Sequence, residues 1–524
     1  MRRRASRLLA LLTLLVLAAA TALAQPGGYA SPEEEAMLGQ WEEERVLAVP
    51  LVRAMLLAEG VSDPAALAAH EAYVGRVLAG IDEHVRDRHS AAKKAKTIFK
   101  RLHRDVLKRY DEQAQLTALP NGGRFNCVTG TALFYLAAQR HGIPVAIHVT
   151  PVHVYAVVDP AGEALRIEIT DPKRGFDFDD EREDVIEHML TYKLITAEEL
   201  ALEGEDAIYR SFVEDEWTIE PEALVGIVYY NEGAFHLEAE EYAEALRAYE
   251  KARIVEPERE EYGEAHAATL ALLNYVHNDE PEAVRPYLHH ALALRHGDAS
   301  FAEVALLLVQ HVAARLMVER AFESALETVA LAAEHLPPDA ETQEALTYLE
   351  AAANHDWATA QFRRGDYDTA LQKSSRAFAL APDDDSIREG YVSTSCMHAI
   401  RRAESGEMEE ALDEVEALLD LAAEFPVVAD TYGRLVVYRV SSGRPPLYYE
   451  DTAAAEELVA RALEVAPDMV GLRHAMGAIY HEKAMAEVRA DDYDAAEALI
   501  KEGLRYDPDS KFLLDGLDLL HEYR

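Results

Sequence analysis

The sequence predicts two architectures in one chain: an α+β domain with a helical N-terminal part, followed by an all-α superhelical solenoid of repeats. Three observations carry this. From about Pro221 to the C-terminus, pairs of small residues seven apart are each followed five residues later by proline, within Ala-, Leu- and Glu-rich helical sequence. Between residues 120 and 175 a helical run from Cys127 to His141 precedes three β-type runs, from Val145 to Val149, His153 to Val158 and Leu165 to Thr170. From about Ser31 to Ala118 the pattern is helical. A chain of 524 residues is too long for one ordinary domain. Its 49% hydrophobic and 28% charged residues are the balance of a folded, soluble protein.

The first element is a leader. Arg2, Arg3, Arg4 and Arg7 precede an apolar run from Leu8 to Ala20, and Ala22-Leu23-Ala24 supplies small residues just before Gln25. That is the layout of a cleaved secretory signal peptide at 1–24. The expected location is periplasmic or secreted, with no membrane insertion after cleavage, since no later apolar segment reads as long enough to span. A helical segment at 26–118 follows. It has starts at Ser31-Pro32 and Ser62-Asp63-Pro64, and a basic stretch from His84 to Tyr110 that reads as a solvated helix face. The core is expected at 119–205 and the repeats at 221–524.

Net charge is −44, and loss of the four leader arginines makes it −48. Such acidity disfavours nucleic acid and anionic membranes as partners. The chain has two cysteines, Cys127 and Cys396, in different predicted domains, so a disulfide framework is excluded. Cys396 lies in helical sequence and reads as a small buried hydrophobe.

The repeat anchors are Ala245/Ala252/Pro257, Ala325/Ala332/Pro337, Ala370/Ala377/Pro382, Ala455/Ala462/Pro467 and Ala496/Gly503/Pro508. Small residues seven apart lie on one helix face and let helices approach closely; proline ends the second helix. Gly233, Asn231, Tyr229 and Tyr249 fit the same unit. The pattern resembles the tetratricopeptide repeat family, with about seven repeats. Prolines 337, 382, 426, 467 and 508 are spaced 41 to 45 apart, against about 34 for the usual unit. Gly443-Arg444-Pro445-Pro446 reads as an insertion. Arg364-Gly365-Asp366 reads as a tight turn between helices. The implied partner is a protein or peptide.

The chemistry is expected around Cys127. Asn126 is a good helix-capping residue, so Cys127 opens a helix where free amides and the dipole stabilise a thiolate. His153 begins an alternating strand nearby, which is the pairing a general base requires. Asp159-Pro160-Ala161-Gly162 fits a type I turn. If those four residues form the hairpin loop, Glu168 lies opposite His153 and can orient the imidazole. Asp171 is the alternative third member, of the wrong parity unless a bulge intervenes.

The run from Phe125 to Phe134, then Gly142-Ile143-Pro144, Pro151-Val152-His153-Val154-Tyr155 and Ile167-Glu168-Ile169-Thr170, resembles the transglutaminase-like superfamily, in its bacterial branch. The resemblance covers about 50 residues. It implies a papain-type α+β core with Cys127 as nucleophile, His153 as base and Glu168 as orienting acid, Glu standing where many members have Asp. It also implies attack on an amide to give a thioester that water or an amine resolves. The expected function is an exported cysteine-dependent amide hydrolase or acyltransferase with a protein-binding repeat domain; the alternative is a non-catalytic cell-envelope scaffold. No cofactor is expected. Zinc at His148, His153 and Glu168 lacks a supporting motif, and the acidic run from Asp177 to Asp184 lacks the glycine of a calcium loop.

Overall fold

The computed structural model describes residues 28–524 apart from positions 151–152, 179–180, 193, 214–215, 295–298, 443–445 and 524. The leader at 1–24 lies outside the described residues. So do Pro151 and Val152, Asp179 and Asp180, and Gly443, Arg444 and Pro445 of the expected insertion. The chain divides into two compact units, Met1–Val309 and Gln310–Arg524.

In the first unit, helices α1 (Pro32–Glu44), α2 (Leu51–Ala58), α3 (Pro64–Asp82) and α4 (Ala91–Asp105) come first. Three of them start where short polar side chains close the first turn: Ser31, Asp63 and Ser90 each accept a backbone N–H three residues on. Helix α4 buries Ala95, Ile98, Phe99 and Leu102 and leaves Lys93, Lys96 and Lys100 exposed, which is an amphipathic face. A two-residue parallel pair, β1 (Arg109–Tyr110) and β2 (Arg124–Phe125), leads into α5 (Cys127–Arg140).

Helix α5 packs on an antiparallel four-stranded sheet of β3 (Val145–Thr150), β4 (His153–Val158), β5 (Leu165–Ile167) and β6 (Trp217–Ile219), in the order β5-β4-β3-β6. Between β5 and β6 lie α6 (Arg182–Thr191), α7 (Ala197–Glu203) and α8 (Glu205–Val213). The expected hairpin register is corrected by two residues. The Gly162 N–H does donate to the Asp159 carbonyl, but the Ala164 N–H does so too, and the ladder closes at Val158 opposite Leu165. Positive φ at Asp159 and Ala164 accommodates the longer loop. A shift of two preserves the face, so Glu168 still lies on the side of His153.

The expected boundary between a core at 119–205 and repeats at 221–524 is not where the units part. Strand β6 joins the sheet beside β3. Helices α9 (Leu224–Glu238) and α10 (Tyr242–Val255) are tied to α1: the Tyr229 hydroxyl donates to Glu34 at 2.8 Å, and the Trp41 indole donates to the Val255 carbonyl at 2.9 Å. The first helix pair of the repeat region therefore shares one core with the N-terminal helices and the sheet.

Helical pairs continue through both units, and the small residues sit where the helices touch. Ala245, Ala252, Ala325, Ala332, Ala370, Ala377, Ala455, Ala462 and Ala496 all have no exposed surface. A Cβ on Gly233 would stand 2.6 Å from the Tyr249 ring. Pro257, Pro337, Pro382, Pro467 and Pro508 each lie two residues beyond a helix end. Pro426 differs: it opens the helix Pro426–Ser441, so its place in the proline spacing is coincidental. Gly365 is left-handed, and Asp366 accepts the Thr369 N–H, which makes Arg364-Gly365-Asp366 a helix–helix turn. Cys396 is buried.

One expectation is overturned. Among the described residues the helical stretch Phe301–Val318 is long and apolar enough to cross a membrane. Within it Ala305, Leu308, Val309, Val312 and Leu316 are buried, while Leu307 and Val318 are exposed.

Packing at the small residues sets the first expected outcome. Ala377→Leu should lower stability by about 1–3 kcal/mol through overpacking. Ala379→Leu, on the exposed side of the same helix, should stay within about 0.5 kcal/mol. Thermal melting of both variants checks this.

Candidate active site

Cys127 is the first residue of α5. Asn126 caps the helix reciprocally with Thr129: its side chain accepts the Thr129 N–H at 2.9 Å, while its own N–H donates to the Thr129 hydroxyl at 3.0 Å. The Asn126 amide also donates to the Glu112 carbonyl at 3.1 Å, fixing the approach of the chain. Helix α5 lies close against its neighbours because Gly130 has no side chain; a Cβ there would stand 2.7 Å from Ile169. The Thr131 hydroxyl donates to the Val154 carbonyl of β4 at 3.3 Å. These contacts set Cys127 and His153 in the lining of one cleft, and the thiol is among the groups that raise the imidazole pKa. The cysteine is half-buried, whereas His153 is buried.

The His153 ring meets Glu168, with Nε2 and Oε2 2.6 Å apart. The second carboxylate oxygen accepts from Arg166 Nε at 3.0 Å. Arg166 in turn lies over the Tyr155 ring at 3.9 Å. Glu168 is pinned by its backbone: its N–H donates to the Gly175 carbonyl at 2.7 Å, and a Cβ on Gly175 would collide with the Glu168 carbonyl. The structure thus brings Cys127, His153 and Glu168 together, with Asn126 as the cap.

Asp171 is not the third member. Its carboxylate accepts the N–H groups of Lys173 and Arg174 at 2.9 and 3.0 Å and closes the turn after Glu168. Zinc at His148, His153 and Glu168 is not expected from the sequence, and among the described residues His148 is not part of the grouping that could hold a metal ion. His148 instead lies near Thr218 at 3.3 Å and Glu216 at 3.6 Å. Of the acidic run, Asp184 is paired with Arg174 at 3.0 Å.

His188 of α6 was not legible from the sequence. Its Nε2 stands 3.6 Å from Glu168 and 3.3 Å from the Thr170 hydroxyl, and its ring is edge-on to His153 at 5.7 Å. His153, Glu168 and His188 are close enough together for metal ligands. However, Glu168 already joins His153 and Arg166.

The electrostatics follow from burial. Burial alone would lower the His153 pKa, but Glu168 and the thiol override it and raise it from 6.5 to about 9. Burial would likewise raise Glu168, but His153 and Arg166 hold its carboxyl well below the usual range. Burial pushes His188 down to about 4, so it is neutral at pH 7. The raised His153 adds stability that is fully present below pH 6.5 and lost as pH rises through about 9. The lowered Glu168 adds stability present above pH 4.5 and lost as pH falls toward its depressed value.

A cleft of about 300 Å³ opens at Cys127 and His153. Its lining includes Tyr110 and Val149 from the N-terminal part, and Ile227, Tyr230, Asn231 and Phe235 from α9. The first repeat helix therefore forms a wall of the candidate site.

No family model matches the chain, and no curated protein matches it in sequence. Solved structures that match include the P58(IPK) TPR domain, 15% identical over 57% of this chain and 97% of that one, with a TM-score of 0.17. A tetratricopeptide repeat protein from Parabacteroides merdae is 12% identical over 56% and 98%, at 0.18. The apo form of RapI is 14% identical over 54% and 99%, at 0.18.

The electrostatics set a direct expectation. The His153 imidazole should titrate near pH 9, read from its side-chain nitrogen shifts. Glu168→Gln should bring it below 6.5, because burial then opposes the charge with less to balance it. A midpoint at or below 6.5 in the unaltered chain contradicts the pairing.

Proposed function

We propose that this protein is an exported, protein- or peptide-binding repeat scaffold whose N-terminal unit attacks amide bonds through Cys127. The scaffold part rests on the helical pairs with buried small-residue seams. The chemical part rests on one observation above all: the half-exposed thiol at the start of a helix shares a cleft with a buried imidazole that a buried carboxylate holds at 2.6 Å. The basic and apolar leader supports action outside the cytoplasm.

The chemistry follows from these groups. The sulfur attacks the amide carbonyl carbon, and the C–N bond breaks. His153, charged at neutral pH, delivers its proton to the leaving amine. The thioester is then resolved by water or by an amine, and the neutral imidazole takes up the proton of that nucleophile. Asn126 occupies the amides of Thr129 and Gly130 through its side chain and carbonyl. Those of Cys127 and Val128, both in the cleft lining, are left to meet the developing oxyanion. Glu168 orients the ring and balances its charge, and Arg166 keeps Glu168 ionised.

A second reading, a scaffold without catalysis, is favoured by the sharing of one core between the first helix pair and the sheet: the N-terminal unit then serves to anchor the repeats. Iodoacetamide separates the two. Cys127 should alkylate at least about tenfold faster than buried Cys396, and His153→Ala should abolish the difference. Equal slow rates at both cysteines, indifferent to His153, favour the scaffold alone.

A further inference from the structure

We infer that the cleft at Cys127 selects protein or peptide segments that carry a lysine or arginine side chain beside the attacked amide. The inference rests on the cysteine chemistry proposed above and names its substrate class.

Two independent features of the cleft favour a cation. The first is charge. Glu112, Glu238 and Glu261 line the cleft against one guanidinium, Arg259, and the His153 imidazolium, whose charge Glu168 balances. That guanidinium is already engaged: it donates to Glu256 at 3.0 Å, stands 3.7 Å from Glu261 and lies over the Trp217 ring at 4.6 Å. Glu238 and Glu112 are exposed, where they meet an incoming chain before it reaches the sulfur.

The second feature is aromatic. Tyr110, Tyr230 and Phe235 line the same cleft, with Tyr230 backed by the buried Tyr262 at 5.0 Å. Aromatic faces attract ammonium and guanidinium groups and accept the aliphatic stems that carry them. An acidic side chain meets repulsion from the carboxylates and from the ring faces. A neutral aliphatic chain gains the stem contacts alone. The whole molecule adds to the bias: at a net charge of −44 it steers cations toward it, a term that salt screens.

Both features include residues of the first repeat region: Tyr230, Phe235 and Glu238 from α9, and Glu261 and Tyr262 just beyond α10. Selection would thus be built by the repeats and chemistry by the helix and sheet, within one compact unit.

The test uses the full chain and three peptidyl acyloxymethyl ketones that differ only in lysine, norleucine or glutamate next to the reactive ketone. Covalent capture at Cys127 is followed by intact mass, with iodoacetamide as an uncharged reference. The lysine probe should react about tenfold faster than the norleucine probe, with the glutamate probe slowest. High salt should shrink the ratio, and so should Glu238→Gln combined with Glu261→Gln. Equal rates for the three probes, with iodoacetamide capture still rapid and dependent on His153, overturn the selectivity and leave the cysteine chemistry standing. Slow capture by every reagent, indifferent to His153, overturns both.

Discussion

Glu168 has no exposed surface, and an uncompensated carboxylate in such a place costs several kcal/mol. The surrounding chain is arranged to prevent that. Arg166 occupies one oxygen at 3.0 Å and His153 the other at 2.6 Å, with His188 alongside at 3.6 Å. The imidazolium and guanidinium charges hold Glu168 ionised, and the Glu168 charge in turn keeps the imidazole protonated. Removing Glu168 leaves the imidazolium buried without its carboxylate, whereas removing His153 leaves Glu168 still paired with Arg166 at 3.0 Å.

The repeat region depends on a different constraint, close helix approach at residues without side-chain bulk. Tyr249 fills the space that Gly233 leaves empty, and the paired alanines have no exposed surface. In the N-terminal unit the two constraints meet. The same α9 that buries Tyr229 against Glu34 of α1 places Tyr230 in the cleft at Cys127. The first repeat helix and Cys127 thereby share one core and one cleft.

Much of the site was legible because its signals are local. Asn126 before Cys127 is a capping arrangement, and the hairpin register, off by two residues but right in parity, places Glu168 on the face of His153. The small residues with a following proline likewise mark helix seams and ends. What was not legible depends on contacts between distant segments or on backbone conformations with no compositional mark. Asp159 and Ala164 take positive φ without being glycine, so the six-residue loop has no signature. His188 reaches Glu168 only because α6 folds back over the strands, and Gly175 matters only because its carbonyl receives Glu168. Trp217–Ile219 is three residues long, too short for alternation to show its place beside β3. Pro426 opens a helix where the repeat period suggested an ending.

The central claim is that His153 and Glu168 act as one device upon Cys127. A double-mutant cycle with His153→Ala and Glu168→Gln, read as the iodoacetamide rate at Cys127, tests it most directly. Groups that work as a unit are strongly non-additive. The account predicts that either substitution alone slows Cys127 about as much as the two together. Independent effects, in which the double variant loses the product of the two single losses, would contradict it.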